Sequence, residues 1–119
     1  MENQDLINQL NKTGEYRVLK KLNLNQIYNE DDGSDKKIAI FLDTETTGTN
    51  VEEDQIIELG MVAFEYNPNS GKIFRILSEF NELEEPSVKI AEEASKVHGI
   101  TMEMLKGKKI NDDEVKEYI

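Results

Sequence analysis

The stretch KIAIFLDTETTG, Lys37 to Gly48, decides how this chain is read. Lys37 to Asp43 is short, apolar and rich in isoleucine, with charge before it and Thr/Gly after it, as expected of a buried β-strand. In an extended chain, residues two apart point to the same face, so Asp43 and Glu45 project side by side from the end of this strand. Two hard oxygen donors then converge where a Mg²⁺ ion, which keeps several waters and completes its shell with substrate phosphate, is well served. Thr46, Thr47 and Gly48 follow as a turn whose backbone N–H groups can approach a phosphate or a terminal sugar hydroxyl.

Downstream, Gln55 to Tyr66 is apolar at both parities, which predicts a strand covered on both faces, with Glu58 and Gly60 as its odd members. Asn67 to Gly71 is a turn, and Lys72 to Phe80 resumes with Phe74, Ile76 and Phe80 expected on one face, making an antiparallel hairpin. From Pro86 the period changes: Ile90, Ala94 and Val97 predict a helix that Gly99 stops in the left-handed conformation. Thr101 is placed to cap a short helix carrying Glu103 in its first turn. Asn111, with Glu114 three residues on, starts another, with Val115, Tyr118 and Ile119 on one face. That helix has barely two turns, so Ile119 reads as a truncation point.

Upstream, the polar run Asn29 to Asp35 reads as a linker. Before it, Leu6, Ile7 and Leu10 sit at helical spacing, Thr13-Gly14 breaks the pattern, and Tyr16, Leu19 and Leu22 suggest a second short helical piece. The division expected is a helical extension and acidic linker over 1–35 and one domain over 36–119. With 119 residues and 37% hydrophobic content the chain holds at most one modest domain. There is no cysteine, so thiolate zinc sites and disulfides are excluded. The amino terminus lacks the basic start and apolar run of a secretory signal and no stretch is long enough to span a bilayer, which together point to the cytoplasm and to no membrane partner. Twenty-five acids against fourteen bases give −11, which opposes attraction to a polyanion unless divalent cations bridge acid to phosphate.

By itself, D-x-E is a weak pattern, and acids ending a strand in solvent are common. The neighbours change the balance. FLDTETTG resembles the first motif of the DnaQ-like (DEDD) exonuclease family, which includes the epsilon proofreading subunit of bacterial DNA polymerase III. DQIIELGMV, Asp54 to Val62, is similar to that family's second strand, and VHGITMEML, Val97 to Leu105, to its V-H-G-I-T segment. Tyr16 to Leu22 resembles, less specifically, an amino-terminal extension of some bacterial members.

The resemblance implies an α/β fold of the ribonuclease H type, its amino-terminal part a three-stranded antiparallel meander followed by helices, with the first strand central in the whole sheet. It implies 3′–5′ phosphodiester hydrolysis at single-stranded 3′ ends of DNA or RNA, with two Mg²⁺ or Mn²⁺ ions on Asp43 and Glu45. Thr46, Thr47 and Gly48 would hold the terminal nucleotide, and Val97 and His98 would line its pocket. A polymerase subunit is the implied protein partner. The family's third aspartate, in an N-x-x-F-D context, and its H-x-x-x-x-D pair are absent from these residues. His98 followed five residues later by Glu103 is not that pair, because it lies in the V-H-G-I segment.

Taken alone, His98 reads as a helix-end histidine satisfied by nearby carbonyls, and within the resemblance a substrate contact weighs equally with that reading. Glu58 is expected to be hydrogen-bonded inside the sheet in preference to lying near the metal site. Asp54, with Glu52 and Glu53, is expected in a solvated loop. Two other functions compete: a non-catalytic nucleic-acid- or polymerase-docking module, and an acidic Ca²⁺-binding domain, whose acids lack closed-loop spacing. The 119 residues alone are expected to show no turnover and, with Ile38 to Phe41 as an open apolar edge, to self-associate; a mononucleotide-release assay and a sedimentation measurement on residues 1–119 check both.

Overall fold

A computed structural model describes residues 2–118, so Ile119 and its expected packing lie outside the described residues. Three long strands carry the fold: β1 (Lys37–Thr46), β2 (Ile56–Tyr66) and β3 (Ile73–Leu83), preceded by α1 (Asn3–Lys12) and followed by α2 (Glu92–His98), α3 (Met102–Leu105) and α4 (Asp112–Tyr118). The order in the sheet is β1-β2-β3, antiparallel throughout. Among the described residues β2 therefore holds the centre and β1 an edge, because no strand pairs with the far side of β1; centrality of the first strand is not seen here. Each strand is longer than its apolar run, since ladder hydrogen bonds carry β1 through Asp43, Thr44, Glu45 and Thr46.

Two apolar clusters cover the sheet. Leu59, Met61 and Phe80 are buried with Ile110, and Ile40, Val115 and Tyr118 pack against them, Tyr118 edge-on to Phe80 at 5.8 Å between ring centroids. Ile57, fully buried, forms the second with Ile100 and Leu105, against which Leu83 and Ile90 pack. The carboxyl-terminal helices thus sit where their few apolar side chains meet β2 and β3. Asn111 caps α4 by accepting from the N–H groups of Asp113 and Glu114, and Thr101 caps α3 by accepting from Met104.

The expectation that Phe74, Ile76 and Phe80 share a face fails for a local reason. The β2–β3 register shifts between Ala63 and Phe64 and again between Glu65 and Tyr66. Phe64 pairs with Ile76 but Ala63 with Ser78, so Leu77 is an extra residue, and one extra residue reverses the side-chain alternation. Phe80 consequently shares the face of Met61, while Ile76 shares that of Phe64.

The predicted helix over Tyr16, Leu19 and Leu22 is also absent: residues 14–25 are irregular. A helix this short is marginal without a packing partner, and this one has none, with Leu19 74% and Leu22 83% exposed. Its ends are committed elsewhere. Val18 N–H donates to Asn11 Oδ1 at 3.1 Å, and Gln26 and Tyr28 pair with β3 through Ile76 N–H to Gln26 O (2.9 Å) and Tyr28 N–H to Phe74 O (2.7 Å). The division near residue 35 is therefore crossed by hydrogen bonds.

Residues 29–35 are likewise no featureless linker. Lys36 reaches back to Asp31, Asp32 and the Ser34 carbonyl, and its ammonium lies 4.4 Å from the Phe74 ring centroid. The Lys36 hydrogen bond, helped by the Gly33 N–H, holds Asp31 below its ordinary carboxyl value, and the Ser34 hydroxyl and N–H do the same for Asp32. Carboxyls with lowered values favour this turn above the ordinary carboxylate range and cease to do so as pH falls through the lowered ones. The amide shifts of Gly33 and Ser34 in an NMR titration are expected to move on that acid limb. In the core, Phe80→Ala is expected to lower stability in urea by about 3–5 kcal/mol, whereas Phe41→Ala, on the open face, changes it by about 0.5 kcal/mol or less.

Candidate active site

The site grows from the end of β1. Asp43 pairs with Gly60 and Glu45 with Glu58, so by the pleat Asp43, Glu45 and Glu58 share one face. Asp43 is exposed and Glu45 and Glu58 half-buried. None of the three carboxylates has a hydrogen-bond or ion-pair partner among the described residues. The expectation that Glu58 is hydrogen-bonded inside the sheet is therefore not met: it lies opposite Glu45 with no such partner among the described residues. Carboxylates left bare on one face are the donor set a hard cation takes, and no lysine or arginine occupies the position. Among the described residues no three acidic or histidine side chains converge as a closed metal cluster, so these groups fit part of a metal shell.

Past Glu45 the chain turns through a loop that folds onto itself. Thr47 is fully buried. Its N–H donates to Gln55 O (2.9 Å), its hydroxyl donates to Asp54 Oδ1 (2.7 Å) and accepts from Gln55 N–H (3.0 Å), and its carbonyl accepts from Ala91 N–H (2.7 Å). Asp54 Oδ2 also accepts from Asn50 N–H at 2.8 Å. Asp54 is therefore not part of a solvated loop; its carboxylate is the peg around which residues 47–54 close. The absence of a side chain at Gly48 follows from that closure, since a Cβ there would collide with the Asp54 carboxylate.

The same loop seats α2. Besides the Ala91–Thr47 bond, Gln55 and Ser87 exchange two hydrogen bonds, Nε2–H to Oγ at 2.7 Å and N–H to Oε1 at 2.9 Å. Residues 86–91 are spent on these contacts and are not helical, so α2 starts at Glu92, later than the apolar period predicts. It ends as expected at Gly99, with φ +69°. His98 at its last turn bridges back to β1: Nε2 lies 3.1 Å from the Thr46 carbonyl and Nδ1 3.0 Å from Ile100 N. A carbonyl only accepts and an amide N–H only donates, so the ring is the Nε2–H tautomer with both nitrogens engaged.

Between β1 and α2 lies a cleft of about 440 Å³ lined by Glu45, Thr46, Gly48, Thr49, Ala91, Glu93, Ala94, Val97 and His98. Of the residues singled out from sequence, Glu45, Thr46, Gly48, Val97 and His98 come together here. Asp43 stands two residues back along the same face of β1. Thr47 does not join them, because its polar groups are spent inside the loop. Val97 is 84% exposed and serves the cleft wall, not a helix–core contact. His98 answers to both readings at once, carbonyl-satisfied and cleft-lining. Sequence reading missed Glu93, which stands four residues before Val97 and so on the same helix face, and the closing role of Asp54.

Asp54→Ala removes both acceptors while Thr47 stays buried. The expected cost is about 1–3 kcal/mol in urea denaturation, accompanied by loss of protection at the Asn50 and Gln55 amides in hydrogen exchange.

Comparison with known proteins agrees with this arrangement. A family model described as Exonuclease matches residues 40–118. Over 80 residues the chain is 34% identical to a DNA polymerase III PolC-type protein of Thermotoga maritima, covering 67% of this chain and 5% of that protein. Over 66 residues it is 41% identical to DNA polymerase III subunit epsilon of Treponema pallidum, covering 56% of this chain and 27% of that one. The chain thus spans a small part of the length of these curated relatives. The antiparallel meander followed by helices is the amino-terminal arrangement of a ribonuclease H-like exonuclease fold. By fold, motif order and family match, this chain belongs to the DnaQ-like exonuclease family.

Proposed function

We propose that the full-length protein is a 3′–5′ exonuclease that hydrolyses the terminal phosphodiester of single-stranded DNA or RNA and releases nucleoside 5′-monophosphates. The observation that carries this reading is that Asp43 and Glu45 share one face of β1 and that Glu45 lines the cleft between β1 and α2. Asp43 and Glu45 would hold two divalent cations, Mg²⁺ or Mn²⁺, with Glu58 facing them from β2. When bound, such ions supply charge neutralisation and Lewis-acid polarisation at the phosphoryl group.

The residues of this chain do the binding and orientation. Thr46 and Gly48 line the cleft beside Glu45 and would hold the terminal nucleotide there. Val97 offers an exposed apolar wall against which a base or sugar can pack. His98 keeps that wall at a fixed distance from β1 through Thr46 O; with both ring nitrogens engaged it is a positioning residue, not a proton acceptor. His98 is the sole histidine in the sequence, so no histidine base is assigned to these residues. The names of the relatives support association with a DNA polymerase.

A non-catalytic docking module on the same fold is favoured by one observation, the lack of a three-ligand cluster among the described residues. One assay separates the two. With Mg²⁺ or Mn²⁺ and a labelled oligonucleotide, the full-length protein is expected to shorten the 3′ end to mononucleotides. Asp43→Ala is expected to lower the rate by at least about a hundredfold, equivalent to about 2.7 kcal/mol of barrier. An unchanged rate, or no release by the wild type, overturns the reading.

A further inference from the structure

The charge of this protein is unevenly placed. From Lys12 to Leu22 there are four bases and one acid, net +3, so the remainder of the chain carries −14. A body of that sign repels the strand it is proposed to cut, and repulsion is felt over about a Debye length, ~10 Å at 0.1 M salt. Something on the protein has to hold phosphate against this field.

The segment with the opposite sign has an unusual surface. Lys12, Arg17, Lys20 and Lys21 have no acidic partner among the described residues, as is true of most bases of this chain, but here four of them fall within ten positions that hold a single acid, Glu15. Between those bases Tyr16, Leu19 and Leu22 stand 58%, 74% and 83% exposed. The backbone from Leu19 to Asn25 is neither helix nor strand, and none of its N–H groups has a partner among the described residues. A merely solvated basic face would not carry three large apolar side chains. The segment is also held at both ends, by Asn11 to Val18 on one side and by the Gln26–Asn29 pairing to β3 on the other, so it is tethered to the sheet.

We infer that Lys12 to Leu22 is a capture site for single-stranded nucleic acid, with Arg17, Lys20 and Lys21 on phosphates and Tyr16 available to stack on a base. Basic side chains interleaved with an aromatic, on a backbone with free donors, are what a single strand engages. An anionic membrane surface would attract the same charges, but segments that lie in that interface are amphipathic helices with their backbone bonded internally, and here Leu19 to Leu22 are not helical and their N–H groups are unbonded among the described residues. The inference takes its ligand from the proposed nuclease reading and adds where the strand is first held.

Binding separates from cleavage when the metal is chelated. In EDTA, fluorescence anisotropy of a labelled oligothymidylate is followed against salt with the full-length protein. A Arg17→Ala, Lys20→Ala, Lys21→Ala triple variant is compared with Lys106→Ala, Lys108→Ala, Lys109→Ala. The control removes equal charge from a cluster already neighboured by Glu84 and Glu85, whose carboxylates accept from Ile110 and Gly107 N–H. The arm variant is expected to bind on the order of tenfold more weakly at low salt, with the salt slope reduced by about 2, near 0.7 for each of three phosphates. The control variant is expected to keep most of the affinity. Equal loss in both variants, no loss in the arm variant, no binding by the wild type, or arm-dependent binding to phosphatidylserine vesicles in place of the oligonucleotide overturns the inference. Arm-dependent binding without 3′ hydrolysis in the Mg²⁺ assay sinks the nuclease reading alone.

Discussion

One buried threonine fixes the geometry of this site. Thr47 sits where β1 ends, and its side chain is wholly removed from solvent. A hydroxyl in that position has to be satisfied within the protein, and here it joins Asp54 and Gln55 while the flanking peptide joins Gln55 and Ala91. Those bonds determine three things together: the end of β1 and hence the exit of Glu45, the start of β2, and the distance of α2 from the sheet. The cleft is what remains between elements so constrained. Its carboxylates are free because the polar groups that could have bonded them are committed to the loop.

Around this fixed corner the electrostatics are lopsided. Glu45, Glu58 and Glu93 lie on or beside the cleft, and among the described residues no lysine or arginine lines it. Such a corner favours cations and disfavours phosphate until cations arrive. The acidic character that seemed to argue against a polyanionic substrate is thus partly a property of the site. The basic residues that oppose it are segregated on a different element, reached through the short pairing of Ile27 with Arg75.

Legibility followed the range of the interactions. The strands, the Asn67–Gly71 turn, Gly99 and the caps at Thr101 and Asn111 were readable because each rests on residues within a few positions of one another. Asp43 and Glu45 were readable because a strand's alternation is local, and the order of three motifs identified the family. What escaped depends on contacts far apart in the chain. Asp54 looks like one acid in a solvated run until Thr47 is folded beside it. The late start of α2 depends on Ala91 finding Thr47 and Ser87 finding Gln55. Tyr16 to Leu22 has a helical period, but a period becomes a helix only where something covers its apolar side. The opposite facing of Ile76 and Phe80 hangs on a single extra residue that no composition rule marks.

That extra residue, Leu77, makes β3 unlike an ordinary strand in its tolerance of change. Shortening a loop by one residue usually leaves the elements it joins in place. Removing Leu77 would likewise keep the pairs on both sides, Ile76 with Phe64 and Ser78 with Ala63, so Phe80 would stay beside Met61, whereas removing a paired residue such as Glu79 would shift the strand beyond it by one pleat. The register shift is in effect a parity switch in the middle of the strand. Loss of the extra residue is therefore not equivalent to loss of a paired one: the first leaves both faces of the strand as they are, and the second turns core side chains outward.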